Sequence, residues 1–216
     1  MAERPVFLPL LSGPRLVDRV MVNFKWHSGM AASQKKKSVV ELHEAARSHG
    51  MAHLLEISSK SEREIGRKLS AFHQKVVLDG KSIILECAFQ GSKVFRDGGP
   101  YTDLFDLDPR EAKRDLRLKD SGPLQGFRFG GEDFPLDPPT VFYDWLYANA
   151  ILPARTWLLR LGKLDGFTDI EFNPEKSVNC QAYSCALFVS LEKRGVLDEA
   201  ISSFSKFLAA SKGGVI

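Results

Sequence analysis

The sequence predicts an α+β fold, mostly helical, with a single domain over residues 1–216 that packs its helices around a small sheet. Three observations lead there. Apolar residues recur at three- and four-residue spacing behind Ser-x-x-Glu signatures, the pattern of helices with capped N-termini. Short apolar runs bounded by Gly, Asp and Pro read as strands. The 216 residues, 44% of them apolar, suffice for one core that removes roughly 70% of the unfolded surface from water.

Taken in order, Val20 to Trp26 alternates and reads as a strand. Ser38-Val39-Val40-Glu41 is a capping box whose helix runs to about His49, with Gly50 suited to the position just beyond the end. Leu54 to Ile57 is a short buried strand. Ser61-Glu62-Arg63-Glu64 opens a second helix that covers Ile65, Leu69 and Phe72. Lys81 to Leu85 is a strand leading into a helix from about Glu86 to Phe95, which Gly98-Gly99-Pro100 ends. Residues 97–139 read as a long irregular region with a short helix near Arg110 to Leu116. Phe105, Phe127, Phe129 and Phe134 are spread through it, so it is packed rather than a linker. Asp137-Pro138-Pro139 starts the next helix, which carries Phe142, Trp145, Leu146 and Asn149 on one face. Phe167 to Phe172 follows the break at Asp165-Gly166. A helix from Ser177 to about Arg194 stops at Gly195, and a last amphipathic helix covers Leu197 to Leu208.

Composition narrows the function classes. A net charge of +3 is milder than that of a dedicated nucleic-acid binder, though it permits an anionic partner. Three cysteines, Cys87, Cys180 and Cys185, make neither a disulfide framework nor a zinc motif and point to a reducing compartment, the cytoplasm. The N-terminus lacks the order of regions of a signal peptide, and no run of about 18 apolar residues predicts a membrane span. The five histidines show no metal-ligand spacing, and there is no P-loop, GxSxG or GxGxxG. No metal or cofactor is expected.

The most informative stretch is Glu86 to Phe95. At helical spacing Glu86, Phe89, Gln90 and Lys93 share one face, while Cys87, Ala88, Gly91, Val94 and Phe95 lie opposite on a small, apolar one. The first face offers a carboxylate, a ring, an amide and an amine, which suit stacking, hydroxyl binding and proton transfer. The same pattern also fits a solvated face with one stray Phe. Lys35, Lys36 and Lys37 before a helix can attract phosphates or simply be solvated. Lys113 and Arg114 can clamp a pyrophosphate or form surface ion pairs. Trp145 can stack on a ligand or fill the core. Asp169, Glu171 and Asn173, near a strand end, and Asn179 and Gln181, at a helix start, suit ribose hydroxyls.

These motifs carry a resemblance. Glu86-x-x-Phe89-Gln90-x-x-Lys93 resembles the E-x-x-[YF]-Q-[AG]-x-K segment of the NADAR, or YbiA-like, superfamily, and Ala112-Lys113-Arg114 is similar to its downstream A-[AK]-R segment. Leu55 to Lys60, Gly99 to Leu104, Phe142 to Tyr147 and Phe167 to Pro174 look like the NADAR antitoxins encoded beside DarT-type toxins (the DarG-type role), and the likeness covers nearly the whole chain. Two departures stand out: Cys87 replaces a histidine that often follows the motif glutamate, and the Trp-Gly before the C-terminal helix has no counterpart beside Asp169.

The resemblance implies a YbiA-like fold, an ADP-ribose pocket and an N-glycosidase that removes ADP-ribose from ADP-ribosylated guanine in DNA, as antitoxin to a DarT-type DNA ADP-ribosyltransferase. It implies Lys93 as nucleophile through a Schiff base, with Glu86 as proton shuttle, or Glu86 acting through water. Phe89, Gln90, Lys113, Arg114, Trp145, Asp169 and Asn179 are the expected substrate contacts. The expected partners are ADP-ribosylated DNA, ADP-ribose and, functionally, the cognate toxin, with no membrane. Two alternatives stay open: the same fold acting on a free ribosylated small molecule, and a non-catalytic binder of toxin or ADP-ribose.

Overall fold

The computed structural model describes residues 1–29, 31–160 and 164–212. In chain order the strands are β1 (Ala2–Pro9), β2 (Val17–Phe24), β3 (Leu54–Glu56), β4 (Lys75–Leu78), β5 (Lys81–Ile84), β6 (Lys93–Phe95), β7 (Leu124–Phe129), β8 (Glu132–Phe134) and β9 (Gly166–Thr168). The helices are α1 (Ala32–Arg47), α2 (Glu64–Lys68), α3 (Leu85–Gly91), α4 (Pro109–Arg114), α5 (Arg117–Asp120), α6 (Val141–Ile151), α7 (Arg155–Arg160), α8 (Gln181–Lys193), α9 (Leu197–Ile201) and α10 (Phe204–Ser211). The chain is α+β, helices with small sheets, and forms two compact units: Met1–Ser70 with Pro153–Ile216, and Ala71–Leu152.

The first unit holds a four-stranded sheet in the order β2-β1-β9-β3. β1 and β2 pair antiparallel from Ala2 opposite Phe24 to Pro9 opposite Val17, and β3 runs parallel to β9. One face buries Val6, Val22, Phe24, Leu54 and Ile170 against Val39, Leu42 and Ala46 of α1. On the other, Phe7 meets Tyr183 of α8 edge-on at 5.6 Å. The second unit holds the β4-β5 hairpin and the sheet β6-β7-β8, with α3 and α6 packed around a cluster of rings. Among the described residues no helix is long and apolar enough to cross a membrane.

Several boundaries differ from the sequence reading. α1 begins at Ala32, not at Ser38. Ser38 is fully buried and its hydroxyl accepts the His27 N–H (3.0 Å), while Ala, Gln and Lys, good helix formers, carry the helix back past it. α2 is only five residues long and ends before Leu69 and Phe72. α3 stops at Gly91, and Lys93–Phe95 becomes a strand paired with β7. The Arg128 N–H donates to Ser92 O (2.7 Å) at the switch, so the backbone after Gly91 is satisfied by a sheet rather than another helical turn. Residues 97–139 are more regular than expected, because β7 and β8 run through them with Phe127, Phe129 and Phe134 buried. The helix placed at Ser177 starts at Gln181, after Cys180. The last helix is two, since the Ser203 hydroxyl accepts Lys206 N–H and caps α10 anew.

Candidate functional site

In the second unit a chain of polar groups runs along α3. All seven residues of this helix are buried, so Glu86 (5% exposed) and Gln90 (6%) do not form a solvated face. The Gln90 amide donates to Glu86 Oε1 (2.9 Å), and Lys93 Nζ donates to Gln90 Oε1 (2.6 Å). Lys113 Nζ of α4 lies 3.5 Å from the same Glu86 oxygen and over the Phe72 ring. Lys93 Nζ sits 5.0 Å from the centre of the Phe89 ring. Burial, with Lys113 adding to it and Glu86 opposing, lowers the Lys93 amine to about 8. A useful fraction of it is therefore neutral near physiological pH, and neutral amine is the nucleophile.

Packing fixes this geometry. Phe89 belongs to a stack in which its ring lies 5.4 Å from Phe127 and 5.0 Å from Tyr143, while Phe127 and Phe142 stack at 4.6 Å. A side chain at Gly91 would place its Cβ 2.6 Å from the Phe105 ring and 2.8 Å from Tyr101 O. The Tyr101 N–H donates to Gly91 O (2.8 Å), so the loop docks directly on the backbone two residues before Lys93.

The first unit holds a different arrangement. Glu56 is 2% exposed, and its carboxylate accepts from Ser58 Oγ (2.6 Å), Ile170 N (2.8 Å) and Thr168 Oγ1 (2.6 Å). Thr168 Oγ1 lies 2.8 Å from His43 Nε2. Because the hydroxyl proton goes to Glu56, the imidazole donates here. Burial, then the Arg47 charge, lowers His43 to about 4 and keeps it neutral. Burial also raises Glu56, and burial with the help of the Glu56 charge raises Asp169 to about 8. Asp169 accepts the Glu171 N–H (3.0 Å), and Asn179 Oδ1 is buried without a hydrogen-bond partner among the described residues. A cavity of about 240 Å3 opens beside His43 and Glu56, bounded by Arg47, Glu62 and Arg63.

The sequence matches the family described as DarT1-associated NADAR antitoxin over residues 2–214. The chain belongs to that family. No curated protein matches it.

Within this NADAR antitoxin chain, the structure brings Glu86, Phe89, Gln90, Lys93 and Lys113 together in the second unit. Arg114, beside Lys113 on α4, is exposed and forms no ion pair among the described residues. Trp145 stacks on Phe134 at 5.4 Å, within the aromatic cluster. Asp169 and Asn179 belong to the first unit, Asp169 just after β9 and Asn179 just before α8. Cys87, where the superfamily often has histidine, is buried and donates to Leu107 O (3.2 Å); burial pushes its thiol up to about 11. Sequence reasoning missed Glu56, Thr168 and His43. The available signal was one carboxylate inside the apolar run Leu54-Leu55-Glu56-Ile57, because a charge so placed is buried only with partners.

Proposed function

We propose that this chain is an N-glycosidase that removes ADP-ribose from ADP-ribosylated guanine in DNA, in the cytoplasm, and so counters a DarT-type DNA ADP-ribosyltransferase. The family supports the antitoxin role. The observation that carries the chemistry is the Glu86–Gln90–Lys93 chain with its partly neutral amine.

Lys93 Nζ attacks C1 of the distal ribose as a neutral amine while the bond from C1 to the guanine nitrogen breaks, and the Glu86 carboxylate takes a proton from the attacking nitrogen and passes it to the leaving base. The remaining proton on that nitrogen goes through Glu86 to the ring oxygen as the oxygen departs from C1, and a Schiff base links Lys93 to the open sugar. Water then adds to C1, the C–N bond to Lys93 breaks, and the sugar recloses as free ADP-ribose. Gln90 holds Lys93 and Glu86 in line. Lys113 steadies the Glu86 carboxylate and disfavours a second cation at Lys93.

The test is release of ADP-ribose from an oligonucleotide carrying ADP-ribosylated guanine, followed by mass spectrometry, with Lys93→Ala and Glu86→Ala in parallel. Borohydride should trap a sugar adduct on Lys93 in the wild type. Release that survives both substitutions would remove these residues from the mechanism. A folded protein that releases nothing would leave a small-molecule glycosidase or a plain binder.

A further inference from the structure

The geometry points to a docking surface for the phosphates of a DNA strand at the N-terminal end of α1, made by Lys35, Lys36 and Lys37 together with Arg4 of β1 and Trp26 after β2. This extends the reading above to the strand that carries the modified base, and it lies wholly within the first unit.

The arrangement gathers like charges, of which Arg4 also feels the carboxylates of Glu175 and Asp169. Arg4 and Lys35 converge on the Trp26 ring, their cationic centres 5.3 and 4.6 Å from its centroid. Trp26 is anchored edge-on against buried Phe24 at 6.1 Å, so the ring is a fixed platform. Among the described residues none of Arg4, Lys35, Lys36 and Lys37 forms an ion pair. Elsewhere in the same unit Arg15 pairs with Asp18, Lys68 with Glu64, Lys206 with Glu199, and Arg155 with both Glu192 and Asp198. Arg4 Nε is moreover buried with no acceptor.

The helix adds to the imbalance. α1 has no acidic residue in its first turn and Ala31 offers no side-chain cap, although the Gln34 N–H already donates to Ala31 O (3.1 Å). Lysines there oppose the macrodipole, where acidic residues would favour it, and an incoming anion is stabilised by dipole and lysines alike. Successive helical positions lie about 100 degrees apart, so the three lysines fan around the axis. One small anion engages one or two such groups, whereas a run of phosphates engages the fan. Lys36 and Lys37 are exposed, Lys35 half-buried against Trp26.

The experiment titrates the full chain against an unmodified single-stranded DNA oligonucleotide by fluorescence anisotropy, from about 50 to 200 mM salt. The comparison is with the triple variant Lys35→Ala, Lys36→Ala, Lys37→Ala, whose alanines preserve the helix. The variant should bind about tenfold or more weakly at low salt. The slope of log affinity against log salt should become shallower by about 0.7 for each phosphate that is no longer neutralised. An unchanged affinity and slope would overturn the docking surface. So would a loss confined to free ADP-ribose, which would assign the lysines to the diphosphate. Release of ADP-ribose is assayed in parallel on a modified oligonucleotide and a modified mononucleotide. The variant should slow only on the oligonucleotide, and equal slowing on both would overturn the surface. If the wild type releases nothing from either substrate, the glycosidase reading fails while the binding titration still decides the surface.

Discussion

In the second unit burial lowers the Lys93 amine to about 8, whereas in the first it raises the carboxyls of Glu56 and Asp169. Both are desolvation, which disfavours whichever form is charged, yet the consequences diverge. A lowered amine is a better nucleophile, whereas a raised carboxyl is held in place by the groups that donate to it. The linkage signs diverge too. The folded Lys93 titrates near 8, below its ordinary value, so between about 8 and 10.5 the unfolded chain holds a proton the folded one lacks, and stability rises with pH. Glu56 and Asp169 titrate above their ordinary values. Above about 4 the folded chain therefore retains protons that the unfolded chain has lost, and their contribution falls as pH rises through the raised values.

The comparison breaks first on activity. Lys93→Ala should lower ADP-ribose release by about a thousandfold or more, and Glu86→Gln by roughly a hundred- to ten-thousandfold as a lost proton shuttle. Single-turnover release on the modified oligonucleotide measures both; a Glu86→Gln protein with wild-type rate would end its assignment as proton shuttle.

Stability comes next. Glu56→Ala strands Ile170 N–H, Ser58 and Thr168 in a buried site and should cost about 3 kcal/mol in urea unfolding near neutral pH, without a corresponding change in Lys93 chemistry. Lys93→Met should move the other way. It relieves a charge burial that the shift from 10.5 to about 8 equates to as much as about 3 kcal/mol, so the variant should melt higher at pH 6 and lose that advantage by pH 11. A lower melting temperature at pH 6 would show that the amine is not destabilised there.

Smaller effects sharpen the contrast. Wild-type release should climb with pH through about 8 and level off above it, as the neutral amine fills. Asp169→Asn should flatten the decline in melting temperature that Asp169 causes as pH rises from about 4 through about 8, and identical profiles for variant and wild type would show that Asp169 is ionised throughout. Lys113→Ala should shift the rise in rate towards higher pH by only a few tenths of a unit, because Lys113 is largely exposed and burial is the first cause of the Lys93 shift.

Helical spacing was enough to find Glu86, Phe89, Gln90 and Lys93 as one group, since local order on α3 decides their adjacency. It did not place Lys93 at the start of β6, because the pairing partner of Val94 is Gly126, more than thirty residues away. The same non-local cause hid the sheet in residues 97–139. β1 was missed because Pro5 and Pro9 read against a strand, although it pairs with β2 along its whole length. The Ser38 capping box misled because a buried serine that accepts a distant N–H has the same letters as a cap. Glu56 went unread because its partners, Thr168 and Ile170, lie over a hundred positions along the chain.

The desolvated amine of Lys93 also gives the protein a chemical address. Surface ammonium groups are silent towards carbonyl reagents at neutral pH, but a lysine near 8 condenses readily with an aldehyde. On the proposed reaction, an inhibitor that offers a masked aldehyde in place of the distal ribose would meet Lys93 and hold the antitoxin in a reversible imine, leaving its toxin unopposed.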